Sequence, residues 1–199
     1  MTRQRPPEAS PRLAAVLAAI DAANAADPTL APDGAAKRPA ALLYGERMSA
    51  ELARLGPDAA EHLRIAARGQ HVERWKIPRD SYPGGRAGYL AWRTAQARVH
   101  AGRVSGMMAA AGYGAEDRAR VESLLRKEGI KRNPEMQLLE DVICFVFLRW
   151  YFADFATDHP ESDVLRIVEK TGRKMSAEAR ARAAAEFDLP PALAAALAG

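Results

Sequence analysis

The run from Leu138 to Phe152, LLEDVICFVFLRWYF, constrains this chain more than any other stretch. It belongs to a helix expected to start near Pro134, after the connector GIKRNP. On a helix its apolar residues Leu138, Leu139, Val142, Ile143, Phe145, Val146, Phe147, Leu148, Trp150, Tyr151 and Phe152 point in every direction. A helix that is apolar all round must be surrounded by other helices. Arg149 interrupts the run well short of the roughly 18 apolar residues a membrane span needs. It therefore reads as the central helix of a protein core.

The remaining periodicity agrees. Helical spacing recurs along the chain and no segment keeps a two-residue alternation. Ser10-Pro11 supplies an N-cap and a first-turn proline for RLAAVLAAIDAANAA, while DPTLAPDGAAKRP reads as a loop. A helix is expected over 40–55, closed by Gly56, and a third opens at Pro57-Asp58 and runs to about His71. After a structured loop at 77–86 come a long helix over 87–111 and another over 115–128. Behind the central helix lie two Ala-rich helices, 161–170 and 176–186, and the short tail PPALAAALAG. The expectation is an all-α, single-domain helical bundle over 11–199, with residues 1–10 as a disordered tail. With 199 residues, 48% of them hydrophobic, one good core can be buried.

One cysteine, Cys144, lies inside the apolar run, so no internal disulfide is possible. The N-terminal residues lack the apolar core of a signal peptide, and a cytoplasmic protein with no membrane partner is expected. The oligomeric state is open at this stage.

Charge is unevenly spread. From His62 to Val104 stand nine basic residues (Arg64, Arg68, Arg74, Lys76, Arg79, Arg86, Arg93, Arg98, Arg103) against Glu73 and Asp80. That local +7 exceeds the +4 of the whole chain, so the remainder is slightly acidic. The same segment interleaves Trp75, Tyr82, Tyr89 and Trp92. Guanidinium groups bind phosphate oxygens in pairs and aromatic faces stack on bases, so an anionic small molecule is the expected partner and RNA an alternative. The candidate ligand-binding residues are Arg68, Gln70, Arg74, Trp75, Arg79, Tyr82, Arg93 and Lys127.

Chemistry has fewer candidates. There is no Gly-rich phosphate loop, no zinc-helix His-Glu-x-x-His spacing and no Ser or Cys with the surroundings of a nucleophile. Glu140 and Asp141 sit near the start of the apolar helix, and Asp141 shares the Phe145–Leu148–Phe152 stripe, which directs it inward. A buried carboxylate needs a partner, so both are catalytic candidates. His62 and His159 read as structural residues. His71 ends a helix one and two turns after Arg68 and Arg64, and His100 shares a stripe with Tyr89, Arg93, Gln96 and Met107.

The ordered strings LLYGERM, AARGQHVERWKIPRDSYP, GYLAWR, RKEGIK and LEDVICFVFLRWYFADF resemble the domain-of-unknown-function 4202 family from about Leu13 to Pro190. A more distant resemblance is to the histidine–aspartate (HD) phosphohydrolases. That likeness implies an HD-like helical fold, a divalent metal ion and hydrolysis of a phosphorylated or nucleotide-like substrate. Under it, Tyr44 takes the place of an early metal-binding His, and Gln70-His71 that of the His-Asp dyad. His100 would match a later His, Lys127 lies where another often occurs, and Asp141 matches the late Asp. The implied metal set is His71, His100 and Asp141, with Glu46 as a further donor and His71, Asp141 and Glu140 as the catalytic group. The alternative is a ligand- or RNA-binding module that has lost the metal with its ligands.

Overall fold

In the computed structural model, residues 10–130 and 132–199 are described, so the expectation of a disordered tail at 1–10 lies almost wholly outside them. The fold is all-α apart from one small hairpin. By packing, the chain forms two compact units, the first ending at Gly129 and the second running from Ile130 to Gly199.

The first unit holds helices α1 (Pro11–Asn24), α2 (Ala40–Leu55), α3 (Glu61–Arg68), α4 (Gly85–Ala110) and α5 (Ala115–Leu125). Ser10 caps α1 as its position implies, its hydroxyl accepting from the Leu13 amide at 3.2 Å. Leu13, Val16 and Ile20 of α1, Met48 and Leu52 of α2, Leu63 and Ile65 of α3, Val104 and Met108 of α4, and Val121 and Leu124 of α5 form the buried core. Apart from the α3 pair, each set recurs at three- and four-residue spacing, the signature of an amphipathic helix facing its neighbours.

The segment read as a loop, 27–39, instead contains an antiparallel hairpin, β1 (Leu30–Asp33) and β2 (Ala36–Pro39). Its four-residue strands, each with a proline and without β-branched residues, leave no alternation to detect. It is held instead by a turn through Gly34, at φ 60°, and by Arg38, which donates to Asp33 at 3.1 Å and to both Glu46 oxygens at 2.7 and 2.8 Å. Helix α3 is shorter than expected at both ends: it starts at Glu61 rather than at Pro57-Asp58, and it stops at Arg68 because residues 69–84 leave the helix for two 3₁₀ turns, Arg74–Lys76 and Arg79–Ser81.

The second unit holds α6 (Pro134–Trp150), α7 (Phe152–Asp158), α8 (Glu161–Lys174), α9 (Ala177–Glu186) and α10 (Pro191–Ala198). The apolar run is the expected helix but breaks at Tyr151, and its enclosure is uneven: Leu139, Val142, Phe145 and Val146 are fully buried, whereas Leu138, Ile143 and Phe147 are half-buried. Phe145 packs on Phe187 at 5.4 Å between ring centroids, and Phe147 meets Phe152 and Phe155 edge-on. The presumed tail PALAAALA is α10, packed on α8 so closely that a Cβ on Gly172 would lie 2.2 Å from the Leu197 carbonyl oxygen. Proline at its N1 position and backbone-to-backbone approach make a helix of a segment with little side-chain information.

Candidate functional site

The site begins with the loop that follows α3. Asn24, buried at the end of α1, accepts from the Glu73 amide at 2.9 Å and donates to the Ala41 carbonyl at 3.4 Å. Glu73 adopts a left-handed backbone, φ 51°, and its carboxylate binds Arg103 and Lys76. On the other side Trp92 donates its indole N–H to the Ile77 carbonyl at 2.9 Å. Gln96 donates from one amide nitrogen to the Arg74 and Ile77 carbonyls, both at 2.9 Å. Residues 70–77 are thereby clamped between α1 and α4, with their backbone groups satisfied by side chains where no regular ladder can serve.

His71 stands inside this clamp. Tyr44 of α2 stacks on its ring with centroids 3.8 Å apart and planes at 13°, and the His100 ring of α4 lies 6.3 Å away. Burial, then the charge of Arg74, and then His100, Lys127 and Arg93 hold the His71 imidazole well below its ordinary range. His100 is only 3% exposed, and burial followed by Arg74 pushes it down to about 4 against a backbone bond to Gln70 that works the other way. Both rings are therefore neutral at pH 7.

Arg74 is the cation that acts most strongly on both rings. Its guanidinium lies over the Trp92 ring, 4.5 Å from the centroid, and it has no carboxylate partner among the described residues. Arg93 stands over Tyr89 at 5.8 Å, and Lys127 reaches the cluster from just beyond α5, where its φ of 59° turns the chain. Two neutral imidazoles among three cations make an electropositive site.

Other residues singled out from sequence have different employment. Arg68 donates to both Asp21 oxygens at 2.6 Å, so its charge is already neutralised and it ties α3 to α1. Arg79 donates to the carbonyls of Tyr82 and Pro83, both at 3.0 Å, and organises the loop at 79–85. Trp75, in the turn Arg74–Lys76, and Tyr82, on the 79–85 loop, are both half-buried. His159 stacks on Phe155 at 4.0 Å in the second unit.

Glu140 and Asp141 belong to the second unit and are buried, 4% and 6% exposed. Asp141 accepts from the Ser176 amide at 2.8 Å, the Ser176 hydroxyl at 2.7 Å and the Gln137 amide at 3.0 Å. Its inward orientation is as expected, and its oxygens fasten the start of α9 to α6. Glu140 is likewise engaged rather than free. Among the described residues, no three His, Cys, Asp or Glu side chains gather as metal donors. His71 and His100 alone come together, and their neighbours carry the charge that repels a divalent cation. Glu46, the further donor, holds Arg38.

Asn24 and Asp21, which fix the site from α1, were not among the sequence candidates. The available signal was their polarity within the alanine-rich AAIDAANAA, where an inward-facing polar residue implies a tertiary partner. A family model described as a domain of unknown function (DUF4202) matches residues 14–197. No curated protein and no solved structure matches the chain.

Proposed function

As the chain belongs to the DUF4202 family, a family whose description assigns no activity, we propose from the geometry that the Gln70–His71–Arg74–His100 cluster binds a phosphorylated or nucleotide-like small molecule without a divalent metal. One observation carries this reading: a partly buried arginine, placed over Trp92 and without a carboxylate partner among the described residues, set against two neutral imidazoles. A guanidinium held in that way is ready for a two-point contact with phosphate oxygens, and it loses little rotamer freedom on binding. Arg93 and Lys127 add to the positive field.

Binding is favoured over acid–base hydrolysis. A proton-transfer catalyst works best with a pKa near the operating pH, and His100, at about 4, is far from it. The metal-dependent phosphohydrolase reading has weaker support, because the cluster surrounds its two imidazoles with cations rather than carboxylates. RNA binding has weaker support too, since Arg68, Lys76 and Arg103 of the +7 segment are taken up by Asp21 and Glu73.

Calorimetric titration with inorganic pyrophosphate and with adenosine monophosphate, in the presence and absence of EDTA, tests the proposal. Saturable 1:1 binding that survives EDTA and is lost in Arg74→Ala is expected. Binding that requires added Mn²⁺ or Mg²⁺, or is unchanged in Arg74→Ala, rejects it. Release of phosphate during the titration would restore the hydrolase reading.

A further inference from the structure

Three buried polar atoms around the His71 cluster have no hydrogen-bond partner among the described residues: Nε2 of Gln70, Nε2 of His100 and Oε1 of Gln96. Their residues are 7%, 3% and 2% exposed. Buried polar groups are nearly always paired, because an unmade bond forfeits the hydration the group gave up on folding. Three such atoms on neighbouring side chains need an explanation, and their chemistry is specific.

The orientations of Gln96 and His100 are set by their other contacts. Gln96 spends its amide nitrogen on the Arg74 and Ile77 carbonyls, so the unpartnered atom is the carbonyl oxygen, an acceptor. His100 makes its bond to the Gln70 backbone, and its unpartnered atom is Nε2. Nδ1 therefore carries the proton of the neutral ring and donates to that carbonyl, which leaves Nε2 as a second acceptor. Gln96 and His100 are four residues apart on α4, so the two acceptors share one helix face. Gln70 adds a donor from the end of α3. Arg74, Gln96 and His100 are linked through Gln96's bond to the Arg74 carbonyl and Arg74's effect on His100.

A phosphate alone would leave the two acceptors, Gln96 Oε1 and His100 Nε2, unpaired, since at neutral pH it presents mainly acceptors. We infer that the ligand joins to its phosphate a pair of adjacent hydroxyls, as in a sugar phosphate or the ribose of a nucleotide. One hydroxyl donates to His100 Nε2, the other donates to Gln96 Oε1, and one of them accepts from Gln70 Nε2. This rests on the anion-binding reading above and names the class of compound that the site selects.

The test compares ribose 5-phosphate with methyl phosphate by calorimetry on the full chain. Ribose 5-phosphate should bind at least about tenfold more tightly, the discrimination expected from one or two hydrogen bonds realised only with the diol. Gln70→Met and His100→Asn, the second keeping a donor near the Nδ1 position, should each cut the ribose 5-phosphate affinity toward that of methyl phosphate. Gln70→Met should also raise the Tm of the ligand-free protein, because a buried donor without a partner is removed. Equal affinity for the two probes in the unaltered protein overturns the diol inference and leaves the anion site standing. Failure of both to bind overturns the two together. A lower Tm in Gln70→Met with discrimination intact assigns the amide to the fold and overturns its role toward ligand.

Discussion

Tyr44 lies flat on His71, with ring centroids 3.8 Å apart and planes within 13°. The two residues come from α2 and from the loop after α3, and the stack holds the imidazole against a phenol ring on one face. Where the HD resemblance would place an early metal-binding histidine, the chain carries a ring that orients another ring. Tyr44→Leu should lower the unfolding free energy by about 1–2 kcal/mol, from the lost stack and imperfect refilling of its space. Urea denaturation followed by tryptophan fluorescence measures it; an unchanged midpoint would show that the stack contributes nothing.

Acid should weaken the first unit before the carboxylates titrate. His100 and His71 both have folded-state values below the ordinary histidine value of 6.5, so the unfolded chain binds their protons first. Stability is fully present above that value and declines as pH falls from 6.5 toward about 4 for His100, a loss of order 3 kcal/mol. Glu61 and Glu73 have folded values below 4.5 and weaken the fold only at lower pH. Denaturation midpoints at pH 7.5, 6 and 5 check this, and His100→Asn should flatten the slope. No change between pH 7.5 and 5 contradicts the buried neutral imidazoles.

Asp141→Ala should destabilise the second unit by about 2–4 kcal/mol, because Ser176 and Gln137 lose their charged acceptor and the start of α9 is released from α6. The same substitution should leave pyrophosphate affinity within twofold. A large loss of affinity in well-folded Asp141→Ala would bring this carboxylate back into the site.

Gly88→Ala tests how the loop before α4 is seated. A Cβ there would stand 1.9 Å from the Pro83 carbonyl oxygen, a backbone atom also held by Arg79. The clash cannot be relieved by a rotamer change, so a destabilisation of about 1–3 kcal/mol is expected together with weaker anion binding. Retained stability and affinity would show that the turn at 82–84 moves freely.

The Arg68–Asp21 pair separates structure from binding within the basic segment. Arg68→Met should cost about 2 kcal/mol in stability by removing a charge-assisted pair at 2.6 Å, and leave the salt dependence of anion binding unchanged. A flatter salt slope would return Arg68 to the ligand-binding set.

Read alone, the sequence determined the helical class, most helix positions and the inward turn of Asp141, because periodicity, caps and prolines act within a few residues of one another. Ser10-Pro11 announces α1 and Asn133-Pro134 announces α6 through contacts that are local by nature. The hairpin at 30–39 and the terminal α10 escaped, since Arg38–Glu46 and the Gly172–Leu197 approach join residues that carry no pattern in their own segments. The site divides along the same line. Composition raised the expectation of an anion-binding surface between His62 and Val104 that includes Arg74, and helix position together with the family resemblance pointed to His71 and His100. Tertiary structure alone decided which charges remained available: Asp21 and Glu73 take up Arg68, Lys76 and Arg103, whereas Arg74 meets the face of Trp92 and has no carboxylate partner among the described residues. Pairing across tens of residues depends on where helices meet, and no local property of the chain encodes that.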